Sequence, residues 1–287
     1  MKSLAQTIML SGESGRPLPD LTPSLTQAGV RLRRGQVTMI AAAPGNMKTL
    51  LALWYVAQHN IPTLFFSADT DASTIVNRVA AMLTGDAVDI VEAGISGSGT
   101  DYYTEQVTGL QNIRWCFDPS PTLDDIDLET MAFTEMWGCP PEIIVIDSLY
   151  NVVAEHLDEY AGMREISRAL HHVARSTEAG IILLHHVSEN TSNAGECPPR
   201  KAILGKVSQL PEVILTLAYD EMARELKVAT VKNRSGPADA QARSHVSLFV
   251  DAPRMQIQDS MDYQSPQVSI VQQPMNPAIE DFWNSIV

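Results

Sequence analysis

The chain has 287 residues, 45% hydrophobic and 19% charged, with a formal net charge of −14. A chain this long buries one large core or two small ones, and so acidic a balance excludes a general nucleic-acid coat while leaving room for a local basic groove. No stretch approaches the ~20 apolar residues that span a bilayer, and the N-terminus lacks a signal-peptide run, so a cytoplasmic location without a membrane partner is expected.

In chain order, residues 1–27 are rich in Ser, Gly and Pro and read as an arm or linker. The run Gln36–Ala42 is apolar and β-branched and predicts a buried strand, followed by a helix over Lys48–Gln58 with Leu50, Leu51 and Trp54 on one face. Pro62–Ser67 predicts a second strand, and Asp71–Leu83 a second helix stopped by Gly85. The acidic stretch Asp86–Leu110 predicts mostly loop, with at most a short helix. A third strand is expected over Ile113–Phe117 and a helix over Leu123–Trp137. Glu142–Ile146 is a buried strand ending at Asp147. Met163, Ile166, Leu170 and Val173 mark the inner face of an amphipathic helix, and Ile181–Leu184, Val213–Leu217 and Leu226–Val231 are further strands. Continuous apolar strands alternating with amphipathic helices predict an α/β fold, a mostly parallel sheet with helices on both faces. The tail 255–287 is Gln- and Pro-rich with only acidic charges and predicts flexibility, although its end, AIEDFWNSIV, could form a short docking helix.

The chemistry begins between the first strand and helix. Ala43, Pro44, Gly45, Asn46, Met47, Lys48 and Thr49 form a turn that resembles the phosphate-binding pattern G-x-x-x-x-G-K-[ST], with Ala42 and Met47 in the two glycine places. In such a loop the lysine reaches the β- and γ-phosphates of ATP and the threonine hydroxyl ligates Mg²⁺, beside the free N–H groups of a helix N-terminus. Met47 is the difficulty: a left-handed conformation there costs a side chain roughly 1–2 kcal/mol.

Other pieces follow in order. Asp147 ends an apolar strand, where an acid either holds Mg²⁺ beside Thr49 or caps a turn. Asp69 ends the second strand and is the candidate base for the attacking water, while Asp71 reads as a helix cap. His186 ends another strand, where a polar group can sense the γ-phosphate. His171 with His172 and His185 with His186 are adjacent pairs, which make poor chelates. Lys232 and Arg234 lie in Lys-Asn-Arg-Ser-Gly-Pro, either a solvated hairpin or a finger reaching a neighbouring subunit's phosphate. Three separated cysteines, Cys116, Cys139 and Cys197, support neither a disulfide framework nor a zinc site.

This order of pieces resembles the RecA-like motor core, specifically the ATPase domain of DnaB-type and related phage and plasmid hexameric helicases. In that family the loop often begins with Ala and carries Pro in third place, as Ala42 and Pro44 do. Phe66-Ser67-Ala68-Asp69 is similar to the family's F-S-x-E, with Asp for Glu, and Lys232–Pro237 is similar to its K-x-R-x-G-P finger. The resemblance implies a motor domain over 28–254 with ATP and Mg²⁺ as cofactors, and Lys48, Asp69, Asp147, His186, Lys232 and Arg234 in catalytic roles. It also implies a homo-oligomer, ring-like or filament-like, on single-stranded or branched DNA held by Arg200, Lys201 and Lys206. The helical domain that precedes the motor in DnaB-type helicases is expected to be absent. Two other readings stay open: a slow ATP-gated DNA-binding or loading module, and a RecA-like strand-pairing protein.

Overall fold

The computed structural model describes residues 14–154, 159–188 and 195–259. Nine strands form one sheet in the order β3-β2-β4-β5-β1-β6-β7-β8-β9. They are β1 (Val37–Ala42), β2 (Thr63–Ser67), β3 (Ile113–Cys116), β4 (Ile143–Asp147), β5 (Gly180–His186), β6 (Val213–Asp220), β7 (Glu225–Asn233), β8 (Val246–Asp251) and β9 (Gln256–Asp259). Strands β1 to β6 run parallel, and β7, β8 and β9 extend the sheet as an antiparallel meander. The helices are α1 (Pro23–Gln27), α2 (Lys48–His59), α3 (Ala72–Thr84), α4 (Val88–Ile95), α5 (Thr100–Thr108), α6 (Leu123–Trp137) and α7 (Glu159–Thr177).

Both faces of the sheet are buried along β1, β2, β4 and β5, which explains their unbroken apolar runs. Ile40 and Ala42 of β1 pack with α2 and α3, whereas Val37, Met39 and Ala41 point the other way, into the layer of α6 and α7. Strand β1 lies centrally, between β5 and β6, with Ala42 level with His186 and Ala41 level with Thr216. Helix starts follow local chemistry. The Asp71 carboxylate accepts the Thr74 N–H at 3.0 Å, and Thr122 with Asp125 forms a reciprocal capping box. Gly85 and Gly138 end α3 and α6 in the left-handed region.

The structure departs from the sequence reading in three places. The acidic stretch 86–110 holds two helices, α4 and α5, instead of loop; each buries a single side chain, Val91 and Tyr103, against Ala80 and Ala81 of α3, too little to make a periodic pattern. The expected arm enters the core within its second half: Leu18, Leu21 and Leu25 are buried with the α2 layer, and Pro17 bridges to Arg33. At the other end β8 and β9 complete the sheet, so 256–259 belong to it; the tail beyond residue 259 lies outside the described residues. Asp259 closes the structure by accepting hydrogen bonds from the Ser24 N–H, at 2.7 Å, and from the Ser24 hydroxyl.

Candidate functional site

The carboxyl ends of β1, β2, β4 and β5 converge on one edge. From Ala42 the chain turns through Gly45, at φ 79°, and Met47, at φ 61° and ψ 22°, before α2 begins at Lys48. Met47 therefore does occupy the left-handed region that glycine favours. Its side chain packs partly against the core, and Asn46 braces the turn: its side-chain oxygen accepts the Tyr219 N–H at 2.9 Å, and its amide donates to the Ala43 and Pro44 carbonyls. Asn46 ties the loop to β6, a role that no local pattern announces.

Lys48 is only 8% exposed, and its ammonium donates to the carbonyls of Ala42 at 3.0 Å and Ala43 at 3.3 Å. Burial lowers its pKa, while Asp147 and Asp69 pull it back up. The Thr49 hydroxyl donates to Asp147 Oδ2 at 2.7 Å. Asp147 is 1% exposed, and burial raises its pKa to about 6, against the opposing Thr49 hydrogen bond. Asp69 increases that shift; Lys48 and Arg78 oppose it. Arg78, on α3, was not singled out from sequence; its only signal was its place one residue before the buried Val79.

Asp69 lies beside this pair. The N–H groups of Ala68 and Asp69 donate to the Asp147 carbonyl at 2.8 and 3.1 Å, and the Asp69 side chain is exposed. His186 is half-buried, its pKa lowered by burial and by Lys48, with Tyr150 edge-on at 6.3 Å. Its neighbour His185 is fully buried, and its Nε2 lies 3.1 Å from the Leu204 carbonyl; burial lowers its pKa to about 4, so it is neutral. Lys48, Thr49, Asp69, Asp147 and His186 thus share one edge. A buried carboxylate whose pKa burial raises, a threonine hydroxyl donating to it, a lysine on the loop carbonyls and a helix N-terminus without a side-chain cap fit a Mg²⁺-bound polyphosphate. Among the described residues no group of three His, Cys, Asp or Glu side chains could hold a metal by itself, so a cation here needs the hydroxyl and the ligand's own oxygens.

Lys232 and Arg234 are elsewhere. Val213 pairs with both Thr38 and Asn233, so the end of β7 is level with the amino end of β1, four residues and ~13 Å from Ala42. The Asn233 side chain donates to the Gly29 carbonyl at 3.0 Å, and Gly29 and Gly236 approach so closely that a Cβ on either would clash, with Pro237 or with the Gly29 carbonyl. Lys232 Nζ donates to the Ser208 and Gln209 carbonyls at 3.0 and 2.7 Å. Burial and the nearby Arg234 lower its pKa to about 8.

Arg200, Lys201 and Lys206 are exposed between β5 and β6, Arg200 and Lys201 on a 3₁₀ turn and Lys206 at φ 54° after Gly205 at φ 72°. Residues 189–194 of that connection lie outside the described residues. The basic residues at 31, 33 and 34 have partners within the chain: Arg31 pairs with Asp20 at the exposed surface, Arg33 donates to the Gly15 carbonyl and Arg34 pairs with Glu142. Among the described residues no helix is long and apolar enough to cross a membrane.

Comparison with known proteins agrees with this geometry. The model of the DnaB-like helicase C terminal domain matches residues 23–249. The Gene 65 protein of Mycobacterium phage L5 is 33% identical over 261 residues, 88% of this chain and 97% of that protein. Its counterpart in Mycobacterium phage D29 is 30% identical over 229 residues, 78% of this chain and 99% of that protein. Among solved structures, a DnaB-like replicative helicase superposes with a TM-score of 0.73 at 17% identity, covering 90% of this chain and 67% of that one, a likeness of fold. The architecture is thus that of RecA-like ATPases, and the chain belongs to the DnaB-like helicase C terminal domain family.

Proposed function

We propose that this chain is an ATP-dependent DNA motor that hydrolyses ATP between subunits while gripping single-stranded DNA. The observation that carries the reading is the placement of the two charged groups on opposite edges of one sheet. Lys48, Thr49 and Asp147 sit at the carboxyl edge, and Lys232 and Arg234 at the amino edge. A subunit cannot bring its own finger to its own loop across the sheet. In a head-to-tail ring, however, the finger edge of one subunit faces the loop edge of the next.

At such an interface the loop N–H groups and Lys48 hold the phosphates, and Thr49 with Asp147 positions Mg²⁺, which neutralises charge on the β- and γ-phosphates. Asp69, exposed and next to Asp147, orients the attacking water. Lys232 and Arg234 of the neighbour stabilise charge developing on the transferred phosphoryl group. Neutral His186 lies within the field of Lys48 and Asp69 and so can register the γ-phosphate. Arg200, Lys201 and Lys206 contact DNA phosphates.

The test is ATP turnover with and without single-stranded DNA for the native chain, Lys48→Ala, Arg234→Ala and a mixture of the two variants. Turnover that rises with DNA, is lost in each variant and returns on mixing supports the reading, because the mixture restores interfaces with one intact loop and one intact finger. A second reading, an ATP-gated DNA-binding module, is favoured by the left-handed Met47 alone; ATP binding without turnover, unaffected by DNA, would establish it.

A further inference from the structure

The finger is not free in solution; it is held by its own chain. Lys232 donates to the carbonyls of Ser208 and Gln209, and Arg234 Nη2 to those of Gln209 and Leu210, both at 3.2 Å. Arg234 Nη1 also lies 3.8 Å from Glu212 Oε1. Glu212 is mostly buried, and its position is set from several sides. Its other carboxylate oxygen accepts the Val37 N–H at 3.0 Å, its own N–H donates to the Val37 carbonyl at 2.9 Å, and its carbonyl accepts the Arg234 N–H at 3.0 Å. His171 of α7 approaches the same carboxylate at 3.8 Å. A carboxylate tied to the start of β1 thus stands at ion-pair distance from the half-exposed Arg234 guanidinium and, with the carbonyls of Gln209 and Leu210, favours one posture for it.

The other end of the same segment is also tied. Leu204 meets His185, the neighbour of His186, through its carbonyl, and Ile203 bridges to Val187. Between the ties lie two consecutive left-handed residues, Gly205 and Lys206, under α7; a Cβ on Gly205 would stand 2.7 Å from Met163 Sδ. Nine residues therefore run from the loop edge of the subunit to its finger edge, anchored at both.

We propose that Leu204–Glu212 is a positioning strap: Glu212 and the carbonyls of 208–210 set the posture in which Lys232 and Arg234 are presented to the neighbouring subunit. This rests on the finger reading above. It assigns Glu212 and Gly205 to control of the neighbour's hydrolysis.

Subunit mixing separates this role from a general structural one. Glu212→Gln keeps an acceptor for the Val37 N–H but loses the charge facing Arg234. Alone, it should lower kcat for ATP about tenfold with KM changed less than about threefold, the pattern of an interaction made mainly in the transition state. Mixed with Lys48→Ala, it should recover turnover, since the Lys48→Ala subunits supply correctly held fingers to its intact loops. Random one-to-one assembly of head-to-tail interfaces makes about a quarter of them competent. Mixed with Arg234→Ala, it should recover none, because every loop then faces a faulty finger. Gly205→Ala, which pushes on Met163 from a left-handed position, should follow the same pattern. Native kcat in both variants, no recovery with Lys48→Ala, or recovery with Arg234→Ala overturns the strap. Failure of the Arg234→Ala and Lys48→Ala mixture instead overturns the finger reading beneath it, and the strap with it.

Discussion

Lys48 and Asp147 carry opposite charges, and burial pushes both toward neutrality: the lysine pKa falls and the aspartate rises to about 6. The site is therefore costly without a ligand. For Asp147 the folded pKa lies above its ordinary 3.8, so this group favours folding fully below that value and the advantage is lost as pH rises through about 6. Asp147→Asn, which keeps an acceptor for Thr49, should raise stability at pH 8 by about 2–3 kcal/mol, with no difference near pH 3, as read from urea midpoints at both pH values. The same variant should bind Mg²⁺–ATP poorly, and in the native chain the Mg²⁺ needed for half-maximal ATP binding should rise as pH drops below about 6, because the proton competes with the cation. Met47 obeys the same logic. Its left-handed backbone is strained, but partial packing of the side chain and the Asn46 brace to Tyr219 hold it in place.

At the scale of elements, the sheet's added antiparallel strands do more than lengthen it. Strand β9 pairs with β8, and Asp259 at its end caps the start of α1, so the first and last described elements are joined across 235 residues of chain. Asp259 is 2% exposed, and Ser24 donates to both of its oxygens. Removing it takes a buried acceptor from the partly buried N–H and hydroxyl of Ser24, a cost of roughly 1–3 kcal/mol. Asp259→Ala should therefore lower stability by that amount, as read from the urea midpoint. A domain cut at residues 28 and 254, as the sequence suggests, would lose Leu18, Leu21 and Leu25 from the core along with β9.

At the scale of the molecule, a net charge of −14 and a grip on DNA are compatible only if the basic side chains are sorted. Arg31 and Arg34 pair with Asp20 and Glu142, Lys232 and Arg234 are held at one edge, and Arg200, Lys201 and Lys206 face outward. Replacing these last three by alanine should weaken single-stranded DNA binding for all sequences alike. It should also flatten the plot of log affinity against log salt by about 0.7 per lost phosphate contact, as measured by fluorescence anisotropy across a salt series. An unchanged slope would place the DNA elsewhere.

What the sequence determined by itself was local. Strand and helix order, the loop with Lys48 and Thr49, the cap at Asp71 and the acid at Asp147 all rest on periodicity, turn chemistry and motif spacing within a few residues. Helices α4 and α5 were hidden because each buries one side chain, and β8 and β9 because their runs are short and mixed in polarity. Tertiary structure alone decided the rest. It put Met47 in a left-handed turn and held it with Asn46, brought Arg78 into the field of Asp147, and carried Lys232 and Arg234 to the far edge of the sheet. It also brought Glu212, an unremarked acid after a proline, to within 3.8 Å of Arg234. These depend on which strands pair and in what register, a long-range choice made by burial of the whole sheet and by no short stretch of chain.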